Sequence, residues 1–260
     1  TGLIERPVPT RVRVARRQDL EPEVIEPRLQ APCGIEGEML YQAVSAACEV
    51  LMEGATVRAL NELDHKCGDN DCGRTHREAA SSIMQDIDKM PCDSAYKALK
   101  FLARRLQGTC GAIGGLYVLG LEGVARHLKR VERSTGAFPP PSEWARAARL
   151  GMECIQLHGG AREGDRTLVD ALAPAVCALE EHSDADGVEA FRAAAKAAKN
   201  GAKETQRMVA RRGRAANVPA SVQARYTDPG AVGLAKWLEA ASRAMERAAS
   251  TGDGACRAMM

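Results

Sequence analysis

Asn61-Glu-Leu-Asp-His-Lys-Cys-Gly-Asp-Asn-Asp-Cys-Gly-Arg-Thr75 joins two helical patterns through a short polar break. Asp64 is expected to close the first helix, and Gly68 lets the chain turn. Asp69 and Asp71 stand two apart in an extended piece and so point to the same side. Asp64, Asp69 and Asp71 then converge with little backbone between them. Such a cluster repels itself unless positive charge sits in its middle. Mg²⁺ suits it, because it takes oxygen ligands and completes its octahedron with waters and substrate phosphates. Gly73 and Thr75 open the next helix, whose free N–H groups and positive dipole end favour an anion. Metal ligands beside an anion site suggest a Mg-nucleotide. The competing reading is an ordinary polar helix–helix loop, which uses the same residue types. A calcium loop is disfavoured, because no bidentate Glu stands at the twelfth position from Asp64 or Asp69.

The rest of the chain must supply a core around this loop. Of 260 residues, 45% are hydrophobic but only 3% aromatic, so Ala, Leu, Val, Ile and Met must fill the interior. Abundant alanine with few β-branched runs argues for closely packed helices. A net charge of +2 gives no electrostatic case for nucleic acid or an anionic membrane. The nine cysteines are scattered with no C-x-x-C, which points to reduced thiols in a cytoplasmic compartment and away from zinc. No apolar run approaches the length of a membrane span, and no signal peptide is visible.

Residues 1–35 carry five prolines and read as an interdomain linker, with one short edge strand expected over Thr10–Ala15. From Ile35 the periodicity is helical. Helices are expected from Ile35, over Ala55–Asp64, Thr75–Met90, Ser94–Leu106 and Gly111–Val131, from a Ser142 cap, over Thr167–Glu181 and Gly187–Arg211, and from Asp228 to about Ala249. Residues 251–260 read as a frayed tail. The absence of βαβ alternation argues against Rossmann and P-loop folds. The fold expected is one all-α domain over 36–250: about eight antiparallel helices whose loops alternate between two ends.

Four other polar, glycine-bearing joints can share the end that holds the aspartates. Gly108-Thr109-Cys110-Gly111 either cradles a phosphate or makes a tight turn. In Gly164-Asp165-Arg166-Thr167, Arg166 either pairs with phosphate or lies on the surface, while Asp165 caps the following helix. Arg214, after Gly213, meets either a phosphate or the dipole of the long helix it ends. Asp228-Pro229-Gly230 is above all a helix start.

Taken together, these motifs carry a resemblance. D-x4-D-x-D followed by C-G, then G-[ST]-x-G, G-x4-G-D-R-T, G-R-A and D-P-G resembles, in order and spacing, the C-terminal ATP-binding (L) domain of dihydroxyacetone kinases, over about residues 38–248. The resemblance implies an eight-helix antiparallel barrel with the nucleotide at one end. It implies Asp64, Asp69 and Asp71 as ligands of two Mg²⁺ ions bridging the phosphates of ATP or ADP. Cys72, Gly73, Arg74 and Thr75 match the phosphate-contacting helix start, and Thr109 and Cys110 the second phosphate loop. Gly159 and Leu168 match nucleotide contacts flanking the segment with Arg166 and Thr167. Arg214, Asp228, Pro229 and Gly230 match the remaining contacts. Departures from the family pattern are Asn70 for glycine, Arg74 for a small residue, Cys110 for serine, Gln107 for glycine, Gly114 for tyrosine, and Ala216-Asn217 for Ser-Tyr.

The implied function is delivery of the γ-phosphoryl group to dihydroxyacetone or glyceraldehyde, held covalently on a separate K domain, with a dimeric assembly as in the full-length kinases. No catalytic residue is assigned within this domain, and the five histidines read as surface or capping residues. Two rival readings are an ADP-carrying subunit that serves a phosphotransferase system and a helical interaction domain without nucleotide binding.

Overall fold

Leucine- and alanine-rich stripes become helices throughout the computed structural model, which describes residues 34–108 and 111–257, the last seven by backbone alone. The helices are α1 (Ile35–Met52), α2 (Gly54–Cys67), α3 (Cys72–Met84), α4 (Ala95–Leu106), α5 (Gly111–Thr135), α6 (Pro141–Gly159), α7 (Val169–Glu181), α8 (Gly187–Glu204), α9 (Ala220–Gln223) and α10 (Pro229–Arg257). Short 3-10 turns lie at Ile87–Lys89, Thr205–Arg207 and Arg214–Asn217. No strand occurs among the described residues, so the all-α expectation holds. The expected linker and edge strand lie outside the described residues.

Helix neighbours trace a closed ring. α1 packs on α10, α10 on α8, α8 on α7, α7 on α6, α6 on α5, α5 on α4, α4 on α3, and α3 back on α1. Eight helices thus form the barrel wall, while α2 lies against α3 and α10. Two apolar clusters fill the interior. One gathers Ile83, Met90, Leu99, Phe101 and Leu128, the other Val169, Ala198, Leu234 and Leu238. Small alanines such as Ala98, Ala147, Ala171 and Ala198 are fully buried and let the axes approach. The low aromatic content is therefore a packing choice: Tyr117 and Trp237 sit where the clusters meet and touch both.

Several expected boundaries move, each for a local reason. α2 runs past Asp64 to Cys67, placing Asp64 inside the last turn. α3 starts three residues early, at Cys72, because side chains of α2 satisfy its first amides. It stops at Met84, and a 3-10 turn over Ile87–Lys89 follows before Met90. Ser142 is not a cap: α6 starts at Pro141, a favoured first helical position. α8 ends at Glu204 rather than Arg211. There the Thr205 hydroxyl donates to the Ala202 carbonyl at 2.6 Å, competing with the helical ladder. α10 continues to Arg257, through most of the expected tail.

Candidate functional site

The aspartate loop forms a cluster. One carboxylate oxygen from each of Asp64, Asp69 and Asp71 lies within 4.8 Å of the others. Asp64 is buried, Asp71 intermediate and Asp69 exposed, so the group opens outward from the end of α2. The Asp64 Oδ2 atom accepts the amides of Asp71 (2.8 Å) and Cys72 (3.0 Å), folding the loop back on the helix that precedes it. Burial and the surrounding aspartates, Asp64 foremost, push the Cys72 thiol far up, so Cys72 is a neutral packing residue here.

The sequence does not single out Asn61, yet it completes this turn. Its Oδ1 accepts the amides of Gly73 (2.7 Å) and Arg74 (3.2 Å). The Thr75 amide donates to the Asp71 carbonyl at 2.8 Å. The expectation of free N–H groups over 72–75 is therefore corrected. These amides are committed within the protein, and what remains for an anion is the dipole of α3 and the Arg74 guanidinium. Gly73 is required by close approach, since a Cβ there would lie 2.1 Å from the Val57 carbonyl oxygen on α2.

Two arginines face the carboxylates. Arg74 reaches Asp71 at 3.3 Å and Arg214 reaches Asp69 at 3.0 Å, both with exposed side chains. Arg214 opens the turn Arg214–Asn217 instead of ending a long helix, so the dipole reading gives way to one in which it faces the trio.

The segment before α7 holds the next part. Asp170, absent from the sequence reading, accepts the amides of Gly164 (2.5 Å) and Thr167 (2.8 Å). Asp165 caps nothing downstream; it accepts the Arg162 amide at 2.8 Å. Thr167 Oγ1 accepts the Val169 amide at 3.2 Å. Arg166 departs most from expectation. It is 1% exposed, at φ 60°, and its Nη2 donates to the Tyr226 carbonyl at 2.8 Å, with the Gln223 carbonyl 3.4 Å away. It is buried against residues 223–226, so the surface reading gives way. Its Nε and Nη1 are buried without a hydrogen-bond partner.

Asp228, Pro229 and Gly230 start α10 as the sequence suggests. Asp228 Oδ1 accepts the Ala231 amide at 2.8 Å, and the Asp228 amide donates to Thr205 Oγ1, also at 2.8 Å. Burial pushes the Asp228 carboxyl up to about 6, with Arg166 opposing and Asp170 and Asp64 adding to the rise. Asp228 thus lies in the field of Asp170 and of Asp64, the buried member of the trio. A Cβ on Gly230 would lie 3.7 Å from Leu168 Cβ, so those two predicted residues are neighbours. Gly159 ends α6 beside Leu116 of α5. Thr109 and Cys110 lie outside the described residues, between Gly108 and Gly111, both at positive φ.

Behind the aspartate turn lies a buried polar chain. Expected to be a surface or capping residue, His76 is 1% exposed. Its Nδ1–H donates to the Cys72 carbonyl at 2.8 Å, and its Nε2 meets the Tyr117 hydroxyl at 3.3 Å. Burial lowers the His76 pKa, so the ring is neutral and Nε2 accepts.

Both the sequence and the fold have counterparts among known proteins. The DAK2 domain profile matches residues 66–243. The chain belongs to the DAK2 domain family. A putative 3,4-dihydroxy-2-butanone kinase of Solanum lycopersicum is 34% identical over 224 residues, covering 83% of this chain and 36% of the relative. Dihydroxyacetone kinase 1 of Saccharomyces cerevisiae is 33% identical over 187 residues, covering 72% and 31%. The dihydroxyacetone kinase of C. freundii, solved in complex with AMP-PNP and Mg²⁺, shares the fold at TM-score 0.62 and 24% identity, covering 91% of this chain and 38% of that one. This DAK2 chain spans about a third of the length of the relatives it matches. No described helix is long and apolar enough to cross a membrane.

Proposed function

We propose that this DAK2 domain binds Mg-ATP and supplies the γ-phosphoryl group to dihydroxyacetone or glyceraldehyde, held covalently on a separate K domain. The observation that carries the reading is the trio Asp64, Asp69 and Asp71, with one oxygen from each within 4.8 Å of the others. Its donors are all carboxylate oxygens, the set that hard Mg²⁺ prefers. Asp64 spends Oδ2 on the turn and keeps Oδ1 for a cation, while Asp69 and Asp71 lie toward solvent and would take part in holding a second. Bound Mg²⁺ would neutralise the phosphate oxygens and orient the transferred group. Arg214 and Arg74, each beside a different aspartate, add exposed positive charge at the same rim. Leu168 and Gly230 offer an apolar wall beside the start of α10. The domain contributes position and charge with no nucleophile of its own, which suits a transfer that needs little covalent help.

The test is thermal unfolding with and without Mg-ADP. At a hundredfold excess over Kd, ligand binding adds about 2.7 kcal/mol, so the wild type should show a clear rise in Tm. Asp69→Ala should remove that rise while leaving the ligand-free Tm within about 2 °C, since Asp69 is exposed. Equal shifts in the two proteins would refute the assignment. ADP that persists through purification would favour a subunit serving a phosphotransferase system.

A further inference from the structure

We infer that the Tyr117 hydroxyl sets the relative height of three helix starts at the nucleotide end, making Tyr117, His76 and Trp237 positioning residues for phosphate binding. The inference rests on the nucleotide reading above.

The chain of bonds is complete and runs one way. The Trp237 indole N–H donates to the Tyr117 oxygen at 3.2 Å. The Tyr117 O–H donates to His76 Nε2 at 3.3 Å, and His76 Nδ1–H donates to the Cys72 carbonyl at 2.8 Å. The rings meet edge to face, with centroids 6.0 Å apart for His76–Tyr117 and 6.4 Å for Tyr117–Trp237. Burial pushes the Tyr117 phenol well above its ordinary range, so it stays a donor. α10 has been cut away to admit the imidazole: a Cβ on Gly233 would stand 2.6 Å from His76 Nε2.

Geometry turns this chain into a register device. His76 lies four residues into α3, Tyr117 six into α5 and Trp237 eight into α10. At 1.5 Å per residue, these are depths of about 6, 9 and 12 Å below the three helix starts. Those starts are the Asp71–Cys72 turn, Gly111 and the Asp228–Gly230 turn. Apolar packing alone tolerates small slides between smooth alanine-rich helices, whereas a directional bond does not. One hydroxyl therefore fixes how far each start projects toward a shared ligand. A phosphate group held at this end would feel an error of about 1 Å in their projection more than the core does.

Tyr117→Phe tests this with minimal disturbance, because the ring keeps its place in both apolar clusters. Mg-ADP affinity, measured by calorimetry, should fall about tenfold, as expected for two hydrogen bonds lost behind a site. Trp237→Phe, which cuts one arm, should cost about threefold. Ile87→Val, beyond the opposite end of α3, lowers Tm and should leave affinity unchanged. In the wild type, Mg-ADP should move the Trp237 indole N–H resonance, assigned through Trp237→Phe, and in Tyr117→Phe that response should disappear. Wild-type affinity in Tyr117→Phe would overturn the inference, even if Tm fell, and would leave nucleotide binding standing. Failure of the wild type to bind Mg-ADP would instead sink the nucleotide reading, and this inference with it.

Discussion

Asp228 carries two demands on one carboxylate. It caps α10 through Oδ1, and it lies in the field of Asp64 and Asp170. Burial and those neighbours raise its pKa from 3.8 to about 6, so between these values the folded state holds more protons than the unfolded. Its contribution to stability is therefore present below about pH 4 and lost as pH rises through about 6. The size is roughly 1–3 kcal/mol, from a shift of about two pH units. Asn caps a helix as well as Asp does and carries no charge. Without divalent ions, Asp228→Asn should gain stability relative to the wild type as pH goes from 4 to 7. Denaturant unfolding at several pH values measures this, and a difference that stays flat would show that the carboxyl is not raised. Asn61 is the counterpart the sequence hides. An Asn in a helix's last turns gives no sign that its oxygen will receive two amides of the next helix.

Among the elements, α2 and α3 form the unit on which the trio depends. Asp64 comes from α2 and Asp71 from the lip of α3, so their separation is set by how closely these helices approach. Gly73 sets that approach, with no room for a Cβ against the Val57 carbonyl. Gly73→Ala should cost about 1–3 kcal/mol by overpacking and should also weaken Mg-ADP binding. Gly123→Ala is the contrast. A Cβ there would lie 2.9 Å from the Gly151 Cα where α5 meets α6, far from the trio, so it should cost stability with affinity unchanged. Equal affinity losses in both would mean that general loosening governs binding, not the α2–α3 spacing. This scale also shows what the sequence could reveal. The helices were legible from their periodicity, and the trio from carboxylates at short spacing around glycine. The ends of α3 and α8 were not, because Asn61, Asp64 and Thr205 decide them through bonds to distant backbone. The burial of Arg166 was hidden for the same reason. Beside glycine it looks exposed, and only the packing of residues 223–226 over it buries it.

For the whole molecule, ring closure matters most, because the chain's first and last described helices are the pair that close it. α1 lies against α10, and between them they complete a wall otherwise built of sequential neighbours. The antiparallel count was readable from short loops, but no local pattern says that α1 must meet α10. Closure gives the barrel an interior shielded on all sides, with Ala43, Cys48 and Leu51 of α1 buried in it. Removing residues through Met52 should therefore expose the α10 face that bears Trp237, which packs in the same cluster as Cys48 and Leu51, and destroy the two-state transition. The expected signs are strong ANS binding and a broad, probe-dependent melt. At the other end, Ala244 is the last buried position of α10 among the described residues. A chain ending at Ser250 should therefore keep its Tm within about 2 °C and its response to Mg-ADP. If the N-terminal truncation still melts sharply, α1 is an accessory strut, and the barrel's rigidity at the nucleotide end must come from the seven remaining wall helices and α2.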